Sequence, residues 1–310
     1  MTPRKPKMHE PLDMGFEQVL TAAADEQKPA IQQAVARPFL KWAGGKRSIL
    51  PALIERLPAK FGTYYENFLG GAALFFGARP SPVYLSDVNF PLVLTYIAVR
   101  DDVERVITNL QGHASRHEKK YYLEMRKRLH VETDPTKIAG LLIYLNKTCY
   151  NGLYRVNQSG GFNVPMGSYK EPAILDVDNL RACSKALQGV EIKQHVFSQV
   201  PIHAESFYYL DPPYYGTFSG YDGAGFGDKD HEELAQFCKA LDAAKCYFMV
   251  SNSDTPFIRK LYSGFQIEQV EGARNVSCKG ETRGKEKELI IRNYGRRESS
   301  HDGEPSGSVR

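Results

Sequence analysis

The sequence predicts an α/β protein built on an open, doubly wound sheet, with a mostly helical insertion that carries a β-hairpin. Three observations predict it. From Arg37 to about Arg100 the pattern runs strand, turn, helix, strand, with glycines at the first turn. From Asp101 to about Glu171 the character changes to helices and one Gly-Gly turn. Strands and helices then alternate again as far as EKELIIRNY, which closes the sheet.

The first 36 residues include Glu10, Asp13, Glu17, Asp25 and Glu26 and lack the apolar stretch of a signal peptide; they read as a flexible extension. PFLKWAGGKRSILPALIERL gives a glycine-containing turn and an amphipathic helix from about Arg47 to Leu57. TYYENFLGGAALFFGA is a strand ending in a glycine turn that opens a second helix. SPVYLSDVN is a strand closing on Asp87, and FPLVLTYIAVR is a helix. In the insertion, HEKKYYLEMRKRLH is a basic helix without a clean apolar stripe, and KIAGLLIYL is a buried helix. In YNGLYRVNQSGGFNVPMGSY the segments LYRV and FNVP flank Gly-Gly, the pattern of a hairpin. The sheet resumes with VDNLRACSKAL (helix), ESFYYLDPPY (strand), HEELAQFCKALDAA (helix) and CYFMVSNSD (strand). The expected organisation is an extension (1–36), a sheet domain in two parts (37–100 and 176–295), an inserted second domain (101–175) and a polar, disordered tail (296–310).

At 310 residues, with 42% hydrophobic and 25% charged residues, the chain can bury a core without disulfide or metal staples. Cys149, Cys183, Cys238, Cys246 and Cys278 are scattered, odd in number and never spaced Cys-x-x-Cys, which favours reduced thiols in a cytoplasm and argues against zinc. His113 and His117 have i, i+4 spacing but no third ligand nearby, so no metal is expected. No apolar run approaches membrane-spanning length, so no membrane role is expected. Net charge is +4, yet between Arg116 and Lys170 ten Lys/Arg oppose four acids, and between Glu271 and Arg297 eight oppose four. Two basic zones on an otherwise acidic chain suit a polyanionic partner.

The glycine turns are not phosphate loops: Leu40 stands where the first glycine of a P-loop belongs, and Arg47 where its Ser/Thr belongs. ENFLGG instead puts Glu66 at a strand end and Gly70 and Gly71 where a ligand could approach the backbone. Asp87, at the end of the next strand, suits a ribose hydroxyl. In Asp211-Pro212-Pro213-Tyr214 a buried strand ends on one acid, two prolines and an aromatic ring. Proline rigidity fixes the direction of the Pro212 carbonyl. Asp211 and that carbonyl can accept both hydrogens of an exocyclic amino group, favouring a pyramidal nitrogen whose lone pair can attack. Tyr214 can stack on the base that carries it. Adenine and cytosine both fit this chemistry.

These residues resemble a DNA adenine methyltransferase of the Dam type. The resemblance rests on FLKWAGGK (39–46), YENFLGGAALFF (65–76), LSDVN (85–89), YNGLYRVN with GFNVPMGSYK (150–170), DPPY (211–214) and SNSDT (251–255), in that family's order. It implies a Rossmann-like methyltransferase sheet with an inserted target-recognition domain, S-adenosylmethionine as methyl donor and double-stranded DNA as partner. A restriction or defence component is a candidate second partner. It implies that Trp42 and Lys46 contact the methionine part of the donor, Phe68 and Gly70 line its turn, Asp87 binds its ribose region, and Asp211 bridges donor and base. Lys41, Tyr150, Asn151, Leu153, Arg155 and Pro165 would face DNA, with Tyr150 filling the gap of a flipped base and GATC the expected site. Three positions depart from the pattern: Asn67 for the usual proline, Ala72 for a common glycine, and Ser168 where GATC readers often carry arginine.

Overall fold

The computed structural model describes residues 35–216, 225–272 and 286–295. Residues 1–34 of the expected extension, the tail from 296, Cys278 and most of the second basic zone lie outside the described residues. The strands are β1 (Tyr64–Glu66), β2 (Val83–Asp87), β3 (Glu191–Gln194), β4 (Phe207–Leu210), β5 (Tyr247–Ser253), β6 (Gln266–Gly272) and β7 (Glu286–Arg292), in the order β3-β2-β1-β4-β5-β7-β6. The pairings from β3 through β5 are parallel, while β7 runs antiparallel to both β5 and β6.

A parallel sheet is covered on both faces, so its central strands are apolar throughout. β4 shows how. Phe207 and Tyr209 join one core with Tyr64, Leu85 and Tyr96, whereas Tyr208 and Leu210 join another with Tyr65, Phe248 and Leu234. The two-residue period of the strand divides FYYL between the faces. α1 (Leu50–Glu55), α2 (Ala73–Ala78), α3 (Phe90–Asp101) and α7 (Val177–Leu187) contribute to the first core, and α8 (Asp228–Ala243) and α9 (Pro256–Leu261) to the second. α4 (Val103–Ala114), α5 (Lys119–Arg128) and α6 (Pro135–Thr148) extend the first core through Val106, Tyr122 and Leu142.

Three expectations need correction. The helix expected from Arg47 to Leu57 is split: a 3-10 turn, Lys46–Ser48, precedes α1, and Ile49 between them is non-helical at φ −111°. Pro51 explains the break. Without an N–H it fits only the first turn of a helix, so α1 begins at Leu50. The expected hairpin forms no continuous ladder. Its segment has a 3-10 turn at Tyr150–Gly152 and two isolated antiparallel bridges, Cys149 with Met166 and Val156 with Phe162. Asn151 and Gly152 both have positive φ, 53° and 64°, which turns the chain before a strand can start. Ala36, assigned to the extension, packs into the core.

The topology locates the site. β2 and β3 lie to one side of β1, and β4 and β5 to the other, so the winding reverses between β1 and β4. Ligands of such sheets bind at the carboxyl ends of the strands at this reversal. Asn67, Asp87 and Asp211 all stand at or just beyond those ends.

Candidate active site

Asp211 leaves β4 at the switch point with its side chain 19% exposed. Its Oδ1 lies 2.8 Å from the ammonium of Lys46, which is itself only 4% exposed. Lys46 Nζ also donates to the Gly44 carbonyl and sits 4.6 Å from the centre of the Tyr214 ring. One buried cation therefore joins the glycine turn, the acid and the aromatic ring. The sequence resemblance assigns Lys46 to the donor alone, without this link to Asp211. Burial pushes the Asp211 carboxyl up to about 6; the charge and hydrogen bond of Lys46 oppose that rise, and Glu288 adds to it. At pH 7 Asp211 is thus mainly the carboxylate. Pro212 is buried beside it.

Glu66, at the end of β1, behaves differently. Burial raises it to about 8, against the hydrogen bond from Tyr64. Its Oε2 accepts from Tyr64 Oη at 2.8 Å and from the Phe75 N–H at 3.2 Å. The pair of acids is therefore split near neutrality, with Asp211 charged and Glu66 protonated. Phe68 follows, stacked on Phe197 at 5.7 Å.

Gly70 has φ +45°, and a Cβ placed on it would lie 2.8 Å from Trp42 Cδ1. The indole fills the space a side chain would need, and it stacks on Tyr154 at 5.6 Å. The Gly70 N–H donates to Asp87 Oδ2 at 3.2 Å, and its carbonyl accepts from Tyr96 at 3.0 Å. Asp87 Oδ1 accepts from the Asn89 N–H at 2.9 Å. Trp42, Gly70 and Asp87 are thus one connected unit between β1 and β2. Ala72 caps α2 in the left-handed region at φ 51°, the geometry a glycine adopts more readily. Among the described residues, both side-chain polar atoms of buried Asn67 and Nδ2 of buried Asn252 have no hydrogen-bond partner. Orphaned polar atoms at the strand ends suit a polar ligand.

The residues expected to face DNA form a second group. Buried Asn146 clamps the two segments that carry them: its Oδ1 accepts from the Lys41 N–H at 2.8 Å, and its Nδ2 donates to the carbonyls of Lys41 (2.6 Å) and Gly152 (3.0 Å). Lys41 lies over the Tyr169 ring, its ammonium 4.4 Å from the centre. Tyr150 is 43% exposed, and its N–H donates to the Pro165 carbonyl at 2.9 Å. Arg155 is exposed, with Nε donating to Asn163 Oδ1 at 2.7 Å. Pro165 is exposed; Asn151 and Leu153 are half-buried.

Sequence reasoning gave no role to Asn146, Asn252 or Glu288. A lone asparagine inside the apolar run of α6 was the available signal for the first. His113 and His117 face tyrosines, with Nδ1 2.7 Å from Tyr121 Oη and 3.0 Å from Tyr144 Oη respectively. Among the described residues no group of three or more His, Cys, Asp or Glu is placed to hold a metal, and no helix is long and apolar enough to cross a membrane.

Residues 42–276 match the model of a family described as D12 class N6 adenine-specific DNA methyltransferase. The chain is 40% identical over 287 residues to the type II methyltransferase M.MjaIII of Methanocaldococcus jannaschii, covering 83% of this chain and 99% of that relative. It is 35% identical over 273 residues to the type II methyltransferase M1.LlaDCHI of Lactococcus lactis, covering 84% and 96%. It is 32% identical over 265 residues to the DNA adenine methylase of Haemophilus influenzae, covering 82% and 92%.

Proposed function

The chain belongs to the D12 class of N6 adenine-specific DNA methyltransferases, and from that premise we propose that it methylates the exocyclic 6-amino group of an adenine flipped out of duplex DNA. The observation that carries this reading is the ionised Asp211 at the end of β4, paired with Lys46 beside the Tyr214 ring. Adenine's amino lone pair is delocalised into its ring, so the amine must be made pyramidal before it attacks. Asp211 Oδ accepts one of its hydrogens and the Pro212 carbonyl the other, while Tyr214 stacks on the base, worth about 1–3 kcal/mol. Lys46 keeps the buried acid charged, and a carboxylate accepts an amino hydrogen more strongly than a neutral carboxyl.

S-adenosylmethionine is the donor this family implies, and when bound it supplies a methyl group activated on sulfonium. The residues present fit it. The switch point carries orphaned Asn67 and the Trp42–Gly70–Asp87 unit. In this reading Trp42, Lys46, Phe68 and Gly70 hold its methionine end, Asp87 its ribose, and Asp211 lies between donor and base.

Residues 101–175 act as the target-recognition part, and the base reaches Asp211 only after extrusion from the stack. Tyr150 fills the gap left behind. Asn163 holds Arg155 through Nε and one outer nitrogen, and this exposed guanidinium has donors for a guanine edge. Leu153 and Pro165 suit a thymine methyl, and Asn151 and Lys41 complete the DNA face. GATC is the site these types favour. The type II names of two relatives make a cognate restriction component a candidate partner, and the cytoplasm the compartment in which the enzyme would meet its DNA. The test is transfer of labelled methyl from S-adenosylmethionine to duplex DNA, RNA and protein offered separately. Duplex DNA should be labelled; label confined to RNA or protein would reject the reading.

A further inference from the structure

We propose that Glu288, on β7, is a positioning residue for methyl transfer that fixes the plane of the Tyr214 ring through the tyrosine hydroxyl. The proposal rests on the reading of Tyr214 as the base-stacking group. No sequence motif points to Glu288, since the matching pieces end at residue 255.

The geometry points there from three sides. Tyr214 Oη donates to Glu288 Oε2 at 2.5 Å. In the antiparallel pairing of β5 and β7, Glu288 stands opposite Ser253, and Leu289 opposite Asn252. Those two β5 residues hold the next backbone unit: Asn252 Oδ1 accepts from the Tyr215 N–H at 3.1 Å, and Ser253 Oγ donates to the Tyr215 carbonyl at 2.8 Å. The paired strands therefore grip the chain just after the two prolines: side chains of β5 hold the Tyr215 backbone, and a side chain of β7 holds the Tyr214 hydroxyl.

A tyrosine ring has two torsions. The prolines and β5 fix its root, and the held hydroxyl fixes the first torsion; because a phenol O–H lies in the plane of its ring, the direction of its bond to Glu288 sets the second. Lys46 on the ring at 4.6 Å sets its third contact. Burial, with the charges of Asp211 and Glu288, holds the Tyr214 hydroxyl well above its ordinary range, so it keeps the proton it donates. An ionised acceptor makes such a bond stronger than a neutral pair. A base that must lie parallel to this ring inherits the orientation that β7 sets.

The test is a double-mutant cycle in single-turnover methylation of a duplex containing the target adenine, using the full chain, with donor affinity measured for each variant. Glu288→Ala should lower the transfer rate roughly tenfold to a hundredfold with donor affinity unchanged, as expected for a lost hydrogen bond to a charged group. Tyr214→Phe should cost about the same. The double variant should be no slower than Tyr214→Phe alone, because the two changes remove one interaction. Glu288→Gln, which keeps an acceptor oxygen, should recover most of the rate. Losses that multiply in the double variant, or a Gln variant as slow as Ala, would overturn the positioning role while leaving the function intact. Wild-type protein that transfers nothing to duplex adenine would overturn the functional reading and this role with it.

Discussion

Replacing Gly70 by alanine tests how the proposed donor site is built, with Gly189→Ala as its control. Both glycines have positive φ, +45° and +75°, so either alanine bears a left-handed backbone, about 1–2 kcal/mol. Only Gly70 adds a collision. Its new Cβ would lie 2.8 Å from Trp42 Cδ1 and 3.2 Å from Nε1, whereas Gly189 has nothing within 4 Å. Ordinary carbon contacts are near 3.5–4.0 Å, so the indole must retreat by roughly 1 Å. Tyr154, stacked behind it at 5.6 Å, resists that movement. Overpacking of this kind costs about 1–3 kcal/mol, for a total near 2–5 kcal/mol. In a domain of this size that is a fall in Tm of roughly 4–20 °C, against about 2–8 °C for Gly189→Ala. Thermal denaturation and titration calorimetry with S-adenosylmethionine read both effects. Gly70→Ala should also bind the donor at least about tenfold more weakly, ~1.4 kcal/mol, because Trp42 is displaced. Equal Tm losses for the two variants, with donor affinity unchanged in both, would refute the argument.

Other consequences follow from the two acids and the DNA face. With Asp211 raised to about 6, single-turnover transfer should rise with pH through that value, because the carboxylate accepts its amino hydrogen more strongly than the neutral acid. Lys46→Met removes the cation opposing the rise and should move the midpoint upward; a flat profile from pH 5 to 8 would contradict both. Glu66 holds a proton up to about 8 when folded but releases it near 4.5 when unfolded, so its contribution to stability is present below 4.5 and lost as pH rises to 8. The Tm of Glu66→Gln relative to wild type should therefore climb between pH 5 and 8 and level off above 8, and a constant difference would rule out a buried neutral carboxyl. Arg155→Ala should relax the preferred DNA sequence at one position, at a cost of about 1–3 kcal/mol, read by mapping methylated adenines. A uniform loss on all sequences would make Arg155 a phosphate contact instead.

Much of the frame is legible where periodicity and punctuation agree. VDNLRACSKAL coincides with α7, and SPVYLSDVN closes on Asp87 as β2 does. β3 went unread because EIKQ offers one apolar residue; it is an edge strand held by backbone pairing to β2. β6 also lies at an edge, where QIEQVEG is mostly polar. α4 carries Val106, Ile107, Leu110 and His113 on one face, a helical signal in a stretch to which the sequence reading assigns no element. At the site, chemistry-bearing side chains could be named from their motifs, but the Lys46–Asp211 pair spans 165 residues of sequence and the Tyr214–Glu288 bond spans 74. Such contacts depend on strand order, which local pattern does not encode. Asn146 shows the same limit, since its three partners in Lys41 and Gly152 meet only after α6 is packed.

The central claim is that Asp211 activates an adenine amino group, and nucleoside analysis of methylated duplex DNA tests it most directly. Wild-type protein with S-adenosylmethionine and a duplex containing GATC should yield N6-methyladenine in a single turnover. Asp211→Ala should yield none over the same interval while still binding DNA. Methyl recovered on cytosine, or an Asp211→Ala variant transferring at near the wild-type rate, would contradict the account.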